Sequence, residues 1–116
     1  MPDAGVLDAR VRFDARALDA NGDPLGEFEP RFTVWAKVDY LRGSESAQSN
    51  RLQGLQPATV VVRDSAQSRQ ITNGWRAEIV EGRGVVVGQV LNLTAVAPAR
   101  DVGFLDIMAT AGGAAG

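Results

Sequence analysis

The stretch FTVWAKVDYL, residues 32–41, decides the fold that we predict for this chain of 116 residues. Side chains two positions apart lie on the same face of a β-strand, and one such set here is apolar throughout. That set predicts the core face of a central strand and comprises Phe32, Val34, Ala36, Val38 and Tyr40. The opposite face would carry Thr33, Trp35, Lys37, Asp39 and Leu41.

The strand leads into a long polar connection, RGSESAQSNRLQGLQ, at residues 42–56. Two leucines are its only large apolar residues, so the stretch offers little to a core. Connections of this length are uncommon in compact domains, and those that occur are often functional. Ser44 can cap a helix, and no glycine, proline or β-branched residue follows before Gly54. We therefore predict a short helix at residues 44–52 and place the function in this connection.

The composition predicts one globular domain over residues 1–116, because 45% of the residues are apolar and 22% are charged. No apolar run approaches the ~20 residues that span a bilayer, and the acidic N-terminus lacks the features of an export signal. The absence of cysteine and histidine removes thiolate nucleophiles, the usual zinc ligands and the commonest general base. We therefore expect no membrane contact, no metal or other cofactor, and no enzyme activity.

Residues 7–18, LDARVRFDARAL, suit either a strand or a helix. Apolar and charged residues alternate over eight positions from Leu7, whereas Asp8 and Arg12 have the spacing of a helical ion pair. We favour the strand, because the alternation is unbroken. The next segment, DANGDPLGEFEP at residues 19–30, is dense in turn formers and suits a hairpin or a broad loop.

Further strands are predicted at residues 57–64, 75–80, 85–87 with 90–96, and 104–109, followed by a flexible tail at residues 111–116. Gly88 would mark a bulge or a sharp bend. The predicted fold class is mainly β, a small antiparallel β-barrel of about six strands with one short helix on the long inserted loop. Closure of the sheet follows from the lack of crossover helices and from the hazard of open sheet edges.

One segment imitates a calcium-binding loop. Asp19, Asn21 and Asp23 have the spacing of the first three ligand positions. The sixth position, which requires glycine, is Pro24, and the twelfth, which requires glutamate, is Pro30. An ordinary Asn-Gly turn is the better interpretation.

A second segment, VVVRDSA at residues 60–66, is similar to the strand that carries the catalytic aspartate of dimeric aspartic proteases. Asp64 is therefore a remote catalytic candidate. Arg63 would hold this carboxylate ionised, whereas the shared proton of such a dyad needs one neutral acid. The chain between Asp64 and Gly88 is also too short for the flap and strands of such a protease. We interpret Asp64 and Ser65 as turn formers that end a strand.

The two tryptophans, Trp35 and Trp75, are candidate stacking platforms for a ligand or a single nucleic-acid strand. Tryptophan in a strand without flanking basic residues is more typical of a core or an interface. The net charge of −2 also argues against tight, sequence-independent binding of nucleic acid. A small β-barrel that binds nucleic acid or a peptide stays an alternative.

The chain resembles the head-tail joining family of long-tailed phages and gene transfer agents, whose members are called head closure or stopper proteins. The resemblance covers residues 11–110, and its most specific part is an Asn-Gly turn followed by the pattern VWA.V..L.G.E. That pattern is carried by Asn21, Gly22, Val34, Trp35, Ala36, Val38, Leu41, Gly43 and Glu45. Adaptor and tail-terminator proteins are neighbouring alternatives, because VLNLTAV at residues 90–96 meets the later family signature only loosely.

The resemblance implies a structural protein of a virion or phage-like particle, assembled in the bacterial cytoplasm. Such proteins form a ring of six copies below the portal and its adaptor, close the DNA-filled head and dock the tail terminator or tail tube. DNA would pass through the lumen without sequence-specific binding, which suits the net charge of −2. Within the polar connection we expect contact or gating by Arg42, Ser44, Glu45, Gln48, Asn50, Arg51 and Gln53.

Overall fold

Six antiparallel strands form a closed barrel in a computed structural model that describes residues 7–41, 56–99 and 102–111. This architecture confirms the predicted fold class. The order around the barrel is β1-β2-β3-β6-β5-β4. The strands are β1 (Ala9–Leu18), β2 (Pro24–Tyr40), β3 (Gln56–Arg63), β4 (Arg76–Gly82), β5 (Val90–Pro98) and β6 (Phe104–Ala111). A 3-10 helix at Ser68–Gln70, which we did not predict, lies between β3 and β4.

The core follows the period-two pattern of the sequence. In β2, Ala36 and Val38 are buried, whereas Trp35 on the opposite face is 48% exposed. In β1, alternate residues from Ala9 point inward, which confirms a strand rather than a helix. Phe13 is fully buried, and its ring centroid lies 5.6 Å from that of Phe32. Inward-facing side chains from all six strands therefore fill the barrel.

The second strand is longer than predicted, because it begins at Pro24 rather than near Phe32. The turn occupies only residues 19–23, and Pro24–Trp35 pairs with β1, while pairing with β3 begins at Ala36. Two register shifts absorb the irregular residues of this half, one of them next to the Asp14–Pro30 pair. Proline is tolerated here because one edge of this half pairs with no described strand. The β1–β2 hairpin thus extends beyond the barrel as an arm.

The predicted strand at residues 85–87 is wrong. Residues 83–89 form a loop between β4 and β5, in which Gly84 and Gly88 have positive φ values of 68° and 88°. Those left-handed conformations bend the chain away from a ladder, despite the strand propensity of three valines. The predicted sharp bend at Gly88 is confirmed.

The last strand ends at Ala111, two residues beyond the predicted end, because Ala111 pairs with both Gln56 and Leu91 and is buried. The predicted helix at residues 44–52 lies outside the described residues. In the part of the chain that the structure describes, no helix is long and apolar enough to cross a membrane.

Candidate functional site

The seven polar residues predicted to make contacts or to gate lie within residues 42–53, outside the described part of the chain. That assignment stays a prediction. The structure shows the two ends of their connection, which leaves β2 after Leu41 and enters β3 at Gln56. Of the family pattern, the Asn-Gly turn lies at the tip of the arm, Val34 to Val38 lie in β2, and Gly43 and Glu45 lie outside the described residues.

The base of the connection is closed by hydrogen bonds. The Leu41 backbone N–H donates to the Pro57 carbonyl oxygen at 3.0 Å. The Gln56 side-chain amide donates to the carbonyl oxygens of Leu41 and Pro57, at 3.1 and 2.9 Å. Tyr40 and Ala58 are the last cross-strand pair of β2 and β3. The connection therefore starts and ends on adjacent positions of a rigid sheet.

A loop with exposed valines lies beside this base, and we call residues 83–89 the valine loop. Its end is fixed by two backbone hydrogen bonds, from Gly88 N–H to the Ile79 oxygen at 2.7 Å and from Ile79 N–H to the Gln89 oxygen at 3.0 Å. Val86 and Val87 are each 57% exposed. The loop thus exposes apolar side chains to solvent on a backbone that is fixed by hydrogen bonds.

Tyr40 joins the base of the connection to the valine loop. Its hydroxyl donates to Gln89 Oε1 at 2.7 Å and accepts from the Val86 backbone N–H at 3.2 Å. We call Tyr40, Leu41, Gln56, Pro57 and the valine loop together the connection end of the barrel. Exposed apolar side chains on an ordered backbone suit docking of another surface rather than bond-breaking chemistry.

The outer face of β1 carries an ion pair between a partly exposed arginine and a buried aspartate. Arg12 Nε donates to Asp14 Oδ1 at 2.8 Å, and a second guanidinium nitrogen donates to Oδ2 at 3.1 Å and to Glu78 Oε1 at 3.4 Å. Asp14 is only 2% exposed. The hydrogen bond to Asp14 raises the pKa of Arg12 above its ordinary value. The contact with Arg12 compensates the buried charge of Asp14, and we interpret this ion pair as structural.

The tryptophans occupy different environments. Trp75 is half-buried and packs against the core, with its ring centroid 6.0 Å from that of Phe32. Trp35 is exposed on the outer face of β2, and the Arg10 guanidinium lies 5.2 Å from its ring centroid. Arg10 is its cross-strand partner and could not be identified as a neighbour from the sequence. An interface role for Trp35 stays a prediction.

Asp64 is held by a cation other than the one we predicted. Arg69, rather than Arg63, binds it, with Nε donating to Oδ1 at 2.7 Å and a second guanidinium nitrogen donating to Oδ2 at 3.2 Å. This hydrogen bonding lowers the pKa of Asp64 below its ordinary value. A carboxylate held ionised by arginine is unsuited to a shared-proton protease dyad.

The Asp19 side chain stabilises the turn that begins with this residue. Its Oδ1 accepts the backbone N–H groups of Asn21 and Asp23, both at 2.9 Å, and Gly22 has a φ of 85°. These bonds support the interpretation as an Asn-Gly turn. Within residues 7–41, 56–99 and 102–111, no group of three or more histidine, cysteine, aspartate or glutamate side chains could hold a metal ion.

The valine loop and the aromatic-arginine contacts of the outer face were not predicted from the sequence. Three valines between Gly84 and Gly88 could have indicated an exposed loop, because the flanking glycines leave little room for a strand. The contacts of Phe28 with Arg16 and Arg76 have no signal in the sequence, because they depend on strand register.

Comparisons with known proteins agree with this fold. No curated protein matches the chain. The solution structure of protein SF1141 from Shigella flexneri 2a is similar, with 23% identity over 96% of this chain and 97% of that one, and a TM-score of 0.64. A chain in the virion of a native gene transfer agent particle shares 21% identity over 88% of this chain and 89% of its own length, with a TM-score of 0.51.

The sequence itself matches one family, described as phage head completion protein, over residues 2–112. The match spans the arm, all six strands and the connection between β2 and β3. The chain therefore belongs to the phage head completion protein family.

Proposed function

We propose that this protein is a stopper, or head closure protein, which forms a ring below the portal and adaptor, seals the DNA-filled head and docks the tail. Membership of the head completion family supports a structural role in a phage-like particle. The ring would contain six copies, and the protein would be assembled in the bacterial cytoplasm before it joins the particle.

The connection end is the observation that carries this function. The connection of residues 42–55 emerges from a hydrogen-bonded base, next to the exposed Val86 and Val87. A rigid base lets a long segment reach another subunit or the channel without loosening the barrel. We therefore propose that the connection makes contacts or gates DNA, and that the valine loop contributes an apolar contact beside it.

A closed barrel suits assembly into a ring. The described strands close the barrel, so copies would meet there through side chains rather than through sheet growth, whereas β2 keeps an unpaired edge at residues 24–35. Heterologous contacts, in which one face of a subunit meets a different face of its neighbour, close into a ring when the rotation between neighbours allows it. The adaptor or portal would meet one end of the ring, and the tail terminator or tail tube would meet the other.

A test uses DNA-filled heads that lack tails. Purified protein is added, the portal vertex is imaged by electron microscopy, and the mass of the unbound protein is measured in parallel. We expect added ring density at that vertex. No density, together with binding of an oligonucleotide or cleavage of a peptide, would instead indicate a binding module or an enzyme.

The role of the connection is tested by replacing residues 42–55 with a short Gly-Ser link. Gln56 is kept, because its side chain closes the base. We expect a folded barrel whose particles leak DNA or lack tails. A fourteen-residue Gly-Ser segment is the matched control, which separates length from side-chain identity. Normal infectious or transducing particles with both replacements would contradict the proposal.

A further inference from the structure

An open cleft on the arm holds two arginines against one aromatic ring. The guanidinium carbon of Arg76 lies 4.3 Å from the Phe28 ring centroid, and that of Arg16 lies 5.8 Å from it. The cleft has a volume of about 470 Å³ and is lined by these three residues with Gly26 and Glu27. We call it the Phe28 cleft. It lies at the end of the barrel opposite the connection end.

The guanidinium groups are positioned, and most of their donors stay available. Arg16 Nε donates to the Gly26 carbonyl oxygen at 2.7 Å, which fixes the side chain along the arm. A guanidinium against an aromatic ring uses its face for that contact, while the N–H groups in its plane still reach outward. Two such groups on one ring form a preorganised donor surface.

Neither arginine has a carboxylate of its own within the described residues. The cations of the ion pairs found there are Arg12, Lys37 and Arg69. Asp14, the cross-strand partner of Arg76, is bound by Arg12 instead. Glu27 lines the cleft without forming an ion pair with either arginine. The cleft thus has more positive than negative charge in a chain of net charge −2.

We propose that the Phe28 cleft binds a carboxylate side chain of a protein partner. This inference deepens the proposed function, because the partner would be another protein of the particle. Arginine, with its planar fork of donors, binds carboxylates in a bidentate manner, and arginine and aromatic residues are enriched at the centres of protein interfaces. An apolar residue beside the partner's carboxylate would contact the free surface of Phe28.

Carboxylate is favoured over the phosphate of nucleic acid for two reasons. Binding to DNA draws its strength from many phosphate contacts, whereas this cleft offers one pair of arginines. The net negative charge of the protein also disfavours the approach of a polyanion. A protein surface carries single carboxylates and adds apolar contacts, which matches the cleft.

The first experiment tests the cleft without any particle. The labelled protein is titrated with acetyl-Glu-Leu-amide, and the side-chain Nε–Hε signals of arginine are followed by NMR. We expect saturable shifts at Arg16 and Arg76, with Arg63 and Arg83 as internal references because they are exposed and without ion pairs among the described residues. Acetyl-Gln-Leu-amide should cause no such shifts. Inorganic phosphate at equal ionic strength is the second comparison.

Equal shifts of the four arginines, or equal responses to the Glu and Gln peptides, would overturn the proposal. A stronger response to phosphate, with binding of an oligonucleotide that depends on Arg16 and Arg76, would assign the cleft to nucleic acid instead. None of these results depends on whether the protein closes heads, so they separate this inference from the proposed function.

The second experiment measures two affinities. One is that of the protein for tailless heads, and the other is that of the closed heads for tails. Arg16→Gln with Arg76→Gln should weaken one of these two contacts roughly tenfold, because the charged donors are lost. Lys37→Gln with Arg63→Gln makes the same change in net charge outside both proposed contact surfaces and should leave both contacts intact. Arg16→Lys with Arg76→Lys keeps the charge but loses the planar fork, so it should restore only part of the affinity.

Thermal unfolding and NMR spectra establish that each variant is folded before binding is compared. Wild-type protein that binds no heads would refute the proposed function. If the wild type binds and all three double variants match its affinity, for heads and for tails, the inference about the cleft is refuted and the proposed function stays in place.

Discussion

Asp64, the residue after β3, forms an ion pair at the surface whose contribution to stability depends on pH. Arg69 hydrogen-bonds both of its carboxylate oxygens and so lowers its pKa from the ordinary 3.8. A depressed folded-state pKa means that the ionised form is favoured in the native protein. The stabilisation is therefore fully present above the unfolded pKa and is lost as the pH falls through the folded pKa.

We predict that Asp64→Asn lowers the thermal midpoint slightly at about pH 7, and that the difference from wild type disappears as the pH falls through the folded pKa of Asp64. Asparagine keeps the backbone N–H that donates to the Gly103 oxygen at 2.8 Å, so the change is confined to the side-chain contact with Arg69. Arg69→Gln should give the same pH profile. A difference between wild type and Asp64→Asn that persisted at low pH would show that the ion pair is not its cause.

The backbone of Gly82, just before the valine loop, lies close to Val85 and Ala9. A Cβ atom on Gly82 would lie 2.8 Å from Val85 Cγ2, 2.9 Å from Ala9 Cβ and 3.1 Å from Ala9 Cα, and Gly82 has a φ of 155°. Gly84 also has a positive φ, of 68°, but a Cβ there would meet nothing within 4 Å. Substitution of Gly82 would therefore cause both steric overlap and backbone strain, whereas substitution of Gly84 would cause backbone strain alone.

We predict that Gly82→Ala lowers the free energy of unfolding by about 2–3 kcal/mol, because strain and overlap with β1 combine. Gly84→Ala should lower it by only about 1 kcal/mol, from the left-handed conformation alone. Chemical denaturation of both variants checks the difference. Equal losses would mean that the packing of Gly82 against Ala9 contributes nothing.

The same elements show how far sequence patterns reach. Alternation predicted the core face of β2 and the strand β1, because both bury one face in the barrel. It failed at residues 24–30, where the arm is exposed on both faces and no burial pattern marks a strand. It also failed at Val86, because hydrogen bonds to Ile79 and glycine conformations decide the loop, and these depend on tertiary structure.

The candidate surfaces were predictable only in part for a related reason. The exit after Leu41 was evident from the length of the connection that follows. Tyr40 was assigned to the core face, yet its hydroxyl reaches Gln89, a residue 49 positions away. The Phe28 cleft joins side chains from β1, β2 and β4, and a change of register by one residue would separate them.

The whole molecule has two ends with different chemistry. Strand pairing places Gln56 and Ala111 at the connection end and Arg63 and Phe104 at the other. The connection end presents Val86 and Val87, whereas Val102, which is 99% exposed, lies near the opposite end. The function that we propose requires such a difference, because each of two different partners would have to select one end.

We therefore predict that Val86→Ser with Val87→Ser leaves the thermal midpoint unchanged, since both side chains are largely exposed in the free protein. One docking step should nevertheless weaken roughly thirtyfold, because burying the two valines in a contact contributes about 1 kcal/mol each. The steps are binding to tailless heads and attachment of tails to closed heads, each followed by electron microscopy. The step that weakens identifies the partner at the connection end. Val102→Ser, the control, should not weaken that step, and a double variant that performs both steps normally would exclude the valine loop from either contact.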